Sequence, residues 1–231
     1  MANNYFKFRQ FCVWQEHCAM KVGTDGTLLG AWARGGSRIL DVGTGTGLIA
    51  LMMAQRCRQA CVVAIDIDDE AVCQASENVA RSPFSSRVEV CCCNVADFSA
   101  EPFDAIVTNP PFFVGSLACP DTRRTAARHA ASLPYPVLME SAWKLLADDG
   151  ELSVIIPFDC KPQLCSAASL QGFFLSRTCA VKTTPRKQPR RFLLAFRKHA
   201  VDQVENSSLV LETAPGVRSP EYVELTKHFY L

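Results

Sequence analysis

An excess of charge of either sign is missing from this chain of 231 residues: 24 Lys and Arg stand against 23 Asp and Glu, a formal net charge of +1. The molecule as a whole therefore offers a polyanion nothing, and any contact with nucleic acid has to rest on a local basic patch. Long apolar runs are missing too. None approaches the roughly 20 residues that a helix needs to cross a bilayer, so no membrane partner is expected. The opening residues, Met1-Ala-Asn-Asn-Tyr-Phe-Lys-Phe-Arg9, hold no apolar stretch ahead of a small-residue cleavage site and do not read as a secretory signal. Histidine is scarce and scattered, at His17, His129, His199 and His228, and forms no constellation for a metal or a general base. The 12 cysteines include no CxxC pair, so no metal site is expected. Cys61 and the run Cys91-Cys92-Cys93 lie beside apolar residues, which reads as free thiols used as small hydrophobes in a reducing cytoplasm.

What is present is ordinary globular material. Hydrophobic residues make up 48% and charged residues 20%, which excludes wholesale disorder and supplies a sizeable core. No internal repeat or dividing linker is visible, so residues 1–231 are expected to form a single domain. Apolar and β-branched runs at 37–42, 61–65, 88–93, 103–108 and 150–156 read as strands, and patterns at 48–56, 68–80 and 136–147 read as helices. Strands alternating with helices argue an α/β fold with a mostly parallel sheet covered on both faces. Residues 173–181 and 192–197 flank a turn rich in Pro, Lys and Arg and read as a closing antiparallel hairpin, which brings the sheet to seven strands. Residues 220–230 carry Tyr222, Leu225, Phe229 and Tyr230 at near-helical spacing.

In such a sheet a ligand binds beyond the carboxyl ends of the strands. The first strand runs into Asp41-Val-Gly-Thr-Gly-Thr-Gly47, where Gly43, Gly45 and Gly47 let the backbone turn tightly and approach a ligand. Asp66 closes the second strand, where its carboxylate can accept both hydroxyls of a ribose; the bland alternative is a cap on the following helix. Asp41 would repel a pyrophosphate, so S-adenosylmethionine, which carries an ammonium and a sulfonium, fits better than a dinucleotide.

The fourth strand ends in Asn109-Pro110-Pro111-Phe112. Pro110 cannot donate to a ladder, so the strand stops there. The Asn109 carboxamide oxygen and the Pro110 carbonyl can accept both hydrogens of a planar amino group and turn its lone pair toward an electrophilic methyl. Phe112 offers a face for a flat base, worth roughly 1–3 kcal/mol.

These features resemble the Rossmann-like class I methyltransferases that modify exocyclic or amide nitrogens. A closer resemblance spans nearly the whole chain. Phe6-Lys-Phe-Arg-Gln-Phe11, Cys18-Ala-Met-Lys-Val-Gly-Thr-Asp-Gly-Thr-Leu-Leu-Gly-Ala-Trp32, the glycine-rich turn, Asn109-Pro-Pro-Phe-Phe113 and Tyr222-Val-Glu-Leu-Thr-Lys-His-Phe-Tyr230 are similar to the bacterial tRNA1(Val) (adenine-N6)-methyltransferases. That resemblance implies methylation of N6 of adenosine 37, beside the anticodon. It also implies that residues 1–36 cover the cofactor and 37–231 form the catalytic core. Lys21, Thr24, Asp25 and Gly26 would fold over the methionine end of S-adenosylmethionine, Asp66 would hold its ribose, and Asn109, Pro110 and Phe112 would handle the target adenine. Related enzymes often place an Asp after the third strand against the cofactor's adenine; here the position is Asn94, with Asp97 three residues on, and either fits. Trp14 departs from the smaller polar residue or His expected in its segment.

Charge is segregated along the chain. Residues 177–198 hold eight bases and no acid, whereas 66–104 hold nine acids and two bases. Arg186, Lys187, Arg190 and Arg191 fall on the hairpin turn, and Arg123, Arg124 and Arg128 on the long loop after Phe112. Both are expected at the catalytic rim, where they would meet the phosphates of a tRNA anticodon stem-loop and make binding salt-dependent. A base in that loop splays out at little cost. Three rivals compete with this reading. A glutamine-N5 protein methyltransferase shares the motif but usually carries a helical domain ahead of the fold, and about 36 residues leave no space for it. A DNA adenine methyltransferase normally needs a recognition domain. A cofactor-binding module without turnover would have no use for an intact Asn109-Pro-Pro-Phe112.

Overall fold

A computed structural model describes residues 4–16, 21–111 and 133–231. The chain enters as a short antiparallel pair, β1 (Tyr5–Lys7) and β2 (Cys12–Trp14), followed by α1 (Thr24–Trp32). Then come β3 (Arg38–Val42), α2 (Leu48–Arg56), β4 (Cys61–Asp66), α3 (Asp69–Ala80), β5 (Val88–Cys92) and β6 (Phe103–Thr108). After these lie α4 (Tyr135–Leu145), β7 (Leu146–Pro157), a 3₁₀ turn (Phe158–Cys160), α5 (Lys161–Gln171), β8 (Phe174–Lys182) and β9 (Arg191–Arg197). The chain closes with β10 (Glu205–Val210), the small pair β11 (Glu212–Ala214) and β12 (Val217–Arg218), and α6 (Pro220–Thr226).

The main sheet has the order β10-β8-β9-β7-β6-β3-β4-β5. β3 to β7 run parallel, β9 is antiparallel to both its neighbours, and β10 lies parallel to β8. The sheet thus has eight strands, one more than the sequence suggests. The extra strand is Glu205–Val210, in which Leu209 is the buried residue. A polar edge strand of this kind carries no apolar signal, and its backbone ladder to β8 supplies the pairing instead.

Side chains alternate across the sheet, as the period of a strand requires. Ile39 and Ile155 enter the core packed by α1, α2, α6 and Val79 of α3, while Leu40, Val42, Leu152, Val154 and Ile156 enter the core packed by α4 and α5. α1 has no polar face: Gly26 to Ala31 are all buried. Without an amphipathic period it is invisible to pattern reading. Its glycines have a packing reason, since a Cβ at Gly30 would lie 2.8 Å from the Met52 sulfur and one at Gly26 3.0 Å from Leu48. The two helices approach at a distance that only glycine allows.

Ten cysteines fall among the described residues and all are free. Cys160 and Cys179 are buried as small hydrophobes, but Cys61, Cys73 and Cys92 are exposed. Cys92 ends the edge strand β5, Cys61 is the first residue of β4 and Cys73 lies on the outward face of α3, so apolar neighbours in sequence do not carry these thiols into the core.

Candidate active site

The parallel strands deliver their carboxyl ends to one edge of the sheet. Val42 pairs with Ile65 of β4 and with Thr108 of β6, and the Thr108 hydroxyl donates to the Val42 carbonyl at 2.9 Å. This register brings together the glycine-rich turn, Asp66 and Asn109, three features spread over residues 43–109 of the chain.

All three glycines of the turn have positive φ: 71° at Gly43, 56° at Gly45 and 79° at Gly47. The Gly43 and Thr44 amides donate to the Ile65 carbonyl at 2.9 and 3.0 Å, which ties the turn to β4. A Cβ at Gly47 would touch Ala75 at 3.4 Å, whereas one at Gly43 or Gly45 would meet no atom within 4 Å. Open space over these two residues is what a ligand would fill.

The carboxyl group of Asp66 accepts from the Gly45 amide at 2.8 Å and from the Asp68 amide at 3.2 Å. The helix cap is Asp68, not Asp66: its Oδ1 accepts from the Glu70 amide at 2.9 Å. Asp66 is thus built into the turn and stays partly exposed at the sheet edge. Asp41 is fully buried. One of its oxygens accepts from the Thr44 hydroxyl at 2.6 Å and the Ala50 amide at 3.1 Å, and the other has no hydrogen-bond partner. Burial, aided by the charge of Asp66, outweighs those two bonds and pushes its pKa up to about 7. Near neutral pH Asp41 is thus partly protonated and carries less than the full repelling charge assumed from sequence.

Asn94 follows β5, and its side-chain oxygen accepts from the Ala96 amide at 3.0 Å; both Asn94 and Asp97 are exposed. Asn109 is partly exposed, yet its Oδ1 is buried and without a hydrogen-bond partner. Pro110 is buried and Pro111 exposed. Phe112, Arg123, Arg124 and Arg128 lie outside the described residues.

The N-terminal segment reaches this edge through a residue that sequence reading missed. Asn78 of α3 is fully buried. Its amide nitrogen donates to the Trp14 and Thr46 carbonyls at 2.8 and 2.9 Å, and its oxygen accepts from the Trp14 amide at 2.8 Å. One turn earlier, the Gln74 oxygen accepts from the Glu16 amide at 3.1 Å. The available signal was two amides four residues apart on the inward face of a helix. The Trp14 ring lies beside Tyr5, at 5.0 Å, with the Arg81 guanidinium 5.5 Å from its centre. Its side chain packs while its backbone carries the tie. Lys21 and Thr24 are exposed, Gly26 is buried, and Asp25 accepts from Arg191 Nε at 2.7 Å.

The basic stretch is divided by the sheet. The turn holding Arg186, Lys187 and Arg190 follows the end of β8 at the same edge as Asn109, since Arg191 pairs with Pro157 at the end of β7. Arg177 and Arg197 lie at the opposite edge on the buried Glu151, at 2.7 and 3.2 Å, and Lys198 reaches Asp148 at 3.4 Å. Among the described residues no group of His, Cys, Asp and Glu is placed to hold a metal ion.

Residues 26–175 match the family described as "Methyltransferase small domain". The tRNA1(Val) (adenine(37)-N6)-methyltransferase of Phocaeicola vulgatus is 50% identical over all of this chain and 99% of its own length. That of Tolumonas auensis is 41% identical over all of this chain and 98% of its own. Among solved structures, a predicted O-methyltransferase from Agrobacterium tumefaciens superposes with a TM-score of 0.69 at 20% identity, covering 89% of this chain and 96% of its own, a likeness of fold. Identity at the level of the first two, sustained from one end to the other, places the chain: it is a methyltransferase and belongs to the tRNA1(Val) (adenine(37)-N6)-methyltransferases.

Proposed function

We propose that the protein transfers a methyl group from S-adenosylmethionine to N6 of adenosine 37 in the anticodon loop of tRNA1(Val). The observation that carries this reading is the buried, unpartnered Oδ1 of Asn109 at the end of β6, beside the glycine-rich turn. A buried acceptor left without a donor costs roughly 1–3 kcal/mol, which an incoming amino group would recover.

The residues present fit S-adenosylmethionine. Gly43 and Gly45 leave room for it, and Asp66 retains acceptor capacity for ribose hydroxyls beyond the two amides it already serves. The free oxygen of Asp41 suits a cationic group, which would draw its proton off. Asn94 and Asp97 both stand at the end of β5, where the adenine would be read, and Lys21, Thr24, Asp25 and Gly26 belong to the segment that would cover the methionine end. The cofactor supplies a methyl group on a sulfonium centre.

The chain's part in the chemistry is positioning. Asn109 Oδ1 and the Pro110 carbonyl would accept the two N6 hydrogens, withdrawing the nitrogen lone pair from the ring and aiming it along the line of transfer. Neither acceptor removes a proton beforehand, because the nitrogen becomes acidic only once it carries the methyl group. Pro111 and Phe112 would complete the wall of the base site. Arg186, Lys187, Arg190 and Arg191, with Arg123, Arg124 and Arg128, would hold the phosphates. Among the described residues no helix is long and apolar enough to cross a membrane, and work on tRNA would place the enzyme in the cytoplasm.

Incubation with labelled S-adenosylmethionine and tRNA1(Val) lacking the modification should yield labelled N6-methyladenosine at position 37, mapped by nuclease digestion. Label on a glutamine-containing peptide and none on RNA would overturn the reading.

A further inference from the structure

At the catalytic edge a cleft of about 670 Å³ opens between the start of α1 and the β8–β9 hairpin. Its walls include Thr24, Asp25, Phe158, Arg190 and Arg191. Asn109 is not among them, so the cleft stands apart from the acceptor pair. Phe158 directly follows β7 and is 45% exposed. It is held in place. Its ring stacks on Phe192 at 5.7 Å and 27°, and Lys161 Nζ lies 4.1 Å from the centre of the Phe192 ring. Its amide donates to the Arg190 carbonyl at 3.1 Å, and the Arg190 amide donates to Val181 at 2.8 Å. The aromatic face and the exposed Arg190 are thereby fixed to one another through the backbone.

A half-exposed ring held against Phe192, with the exposed Arg190 beside it, suits a base that stacks joined to a phosphate that needs a cation, whose charge would turn away from Asp25 and Asp159 of the same cleft. The volume suits a single nucleotide, within the roughly 300–1,000 Å³ of small-ligand sites. Phe158 follows β7, which pairs directly with β6, so the ring side of this cleft lies one strand spacing, roughly 5 Å, from the strand that carries Asn109. With a rise of roughly 3.4 Å per nucleotide, that separation is one that neighbouring nucleotides span. We infer that this cleft is a second nucleotide subsite, in which a base flanking the target adenosine stacks on Phe158 while Arg190 takes its phosphate. The inference rests on the RNA reading above.

The test uses the full chain and an anticodon stem-loop RNA carrying 2-aminopurine in place of a nucleotide flanking the target. With the unaltered protein, binding should change the fluorescence; Phe158→Ala should abolish that change and raise KM for the RNA roughly tenfold, with S-adenosylmethionine affinity unaltered. Phe158→Trp should restore both. An RNA KM unchanged in Phe158→Ala, or a response seen only with 2-aminopurine at the target position itself, would overturn the subsite. If the unaltered protein methylates no RNA, the functional reading fails instead, and the two failures are told apart by that control.

Discussion

Asp41 has no solvent around it and two donors on one of its oxygens, and its raised pKa has a definite consequence for stability. In the unfolded chain the group titrates near its ordinary 3.8, in the folded one near 7. Between those values the folded state holds the proton and the unfolded state does not, so stability falls as pH rises across that window. Asn keeps the acceptor and never ionises. Asp41→Asn should match the unaltered protein below about pH 4 and exceed it by up to about 4 kcal/mol above pH 7, read from denaturant titrations at several pH values. The same variant should bind S-adenosylmethionine more weakly. At Asn109 the expectation is opposite in kind. Asn109→Ala should lower kcat roughly 10²-fold or more while calorimetry finds cofactor binding preserved. Unchanged turnover would remove Asn109 from the chemistry. Both residues are legible in sequence, because a polar side chain at the end of an apolar strand is informative by itself. Asn78 was not legible: it carries chemistry only through what it touches.

The helices and strands divide along the same line. α2 spans Leu48–Arg56, the range that the apolar pattern predicts, and β3, β4, β5 and β6 agree to within a residue or so. β3, β4 and β6 lie inside the sheet, where burial on both faces writes itself into composition, and β5 forms its edge. α1, buried almost all round, and α5, where Leu164 and Ala168 are the buried residues, lack the amphipathic period by which a helix is recognised. The tie between β2 and α3 is an element-scale device whose loss should be local. Asn78→Ala removes three hydrogen bonds and leaves the part-buried backbone groups of Trp14 and the buried Thr46 carbonyl to find others, at roughly 2–4 kcal/mol. Hydrogen exchange should then accelerate over residues 12–16 ahead of the main sheet, and cofactor affinity should fall. Uniform acceleration over the whole molecule would show that Asn78 is ordinary core.

Across the whole molecule, the sheet sorts a single basic stretch into two jobs. At one edge Glu151, 3% exposed, binds Arg177 and Arg197, with Arg34 at 3.6 Å, and the Arg177 guanidinium lies 3.9 Å from the centre of the Trp32 ring. These cations are spent on the protein itself. At the other edge the hairpin presents Arg186, Lys187 and Arg190, with Arg191 paired to Asp25 of the cofactor-side helix. With a net charge near zero, this patch has to carry the salt dependence of RNA binding. Replacing Arg190 and Arg191 with Ala should flatten the slope of log K against log salt by about 1.4 for a single-stranded loop, measured by anisotropy. An equal slope would remove the hairpin from the RNA contact.

The sequence by itself determined the fold class, the glycine-rich turn, the Asn109-Pro110-Pro111 turn and the separation of charge. Each of these follows from local chemistry: a period of two or of 3.6, a positive φ that favours glycine, a missing amide hydrogen. Only the tertiary structure decided which arginines face the catalytic edge, which Asp caps the helix, how Asn78 binds the N-terminal segment, and that Phe158 stands beside Arg190. Those outcomes depend on strand order and register, which join residues distant in the chain, and the energy of a contact is set by both partners and their burial, while the pattern along the chain records one partner at a time.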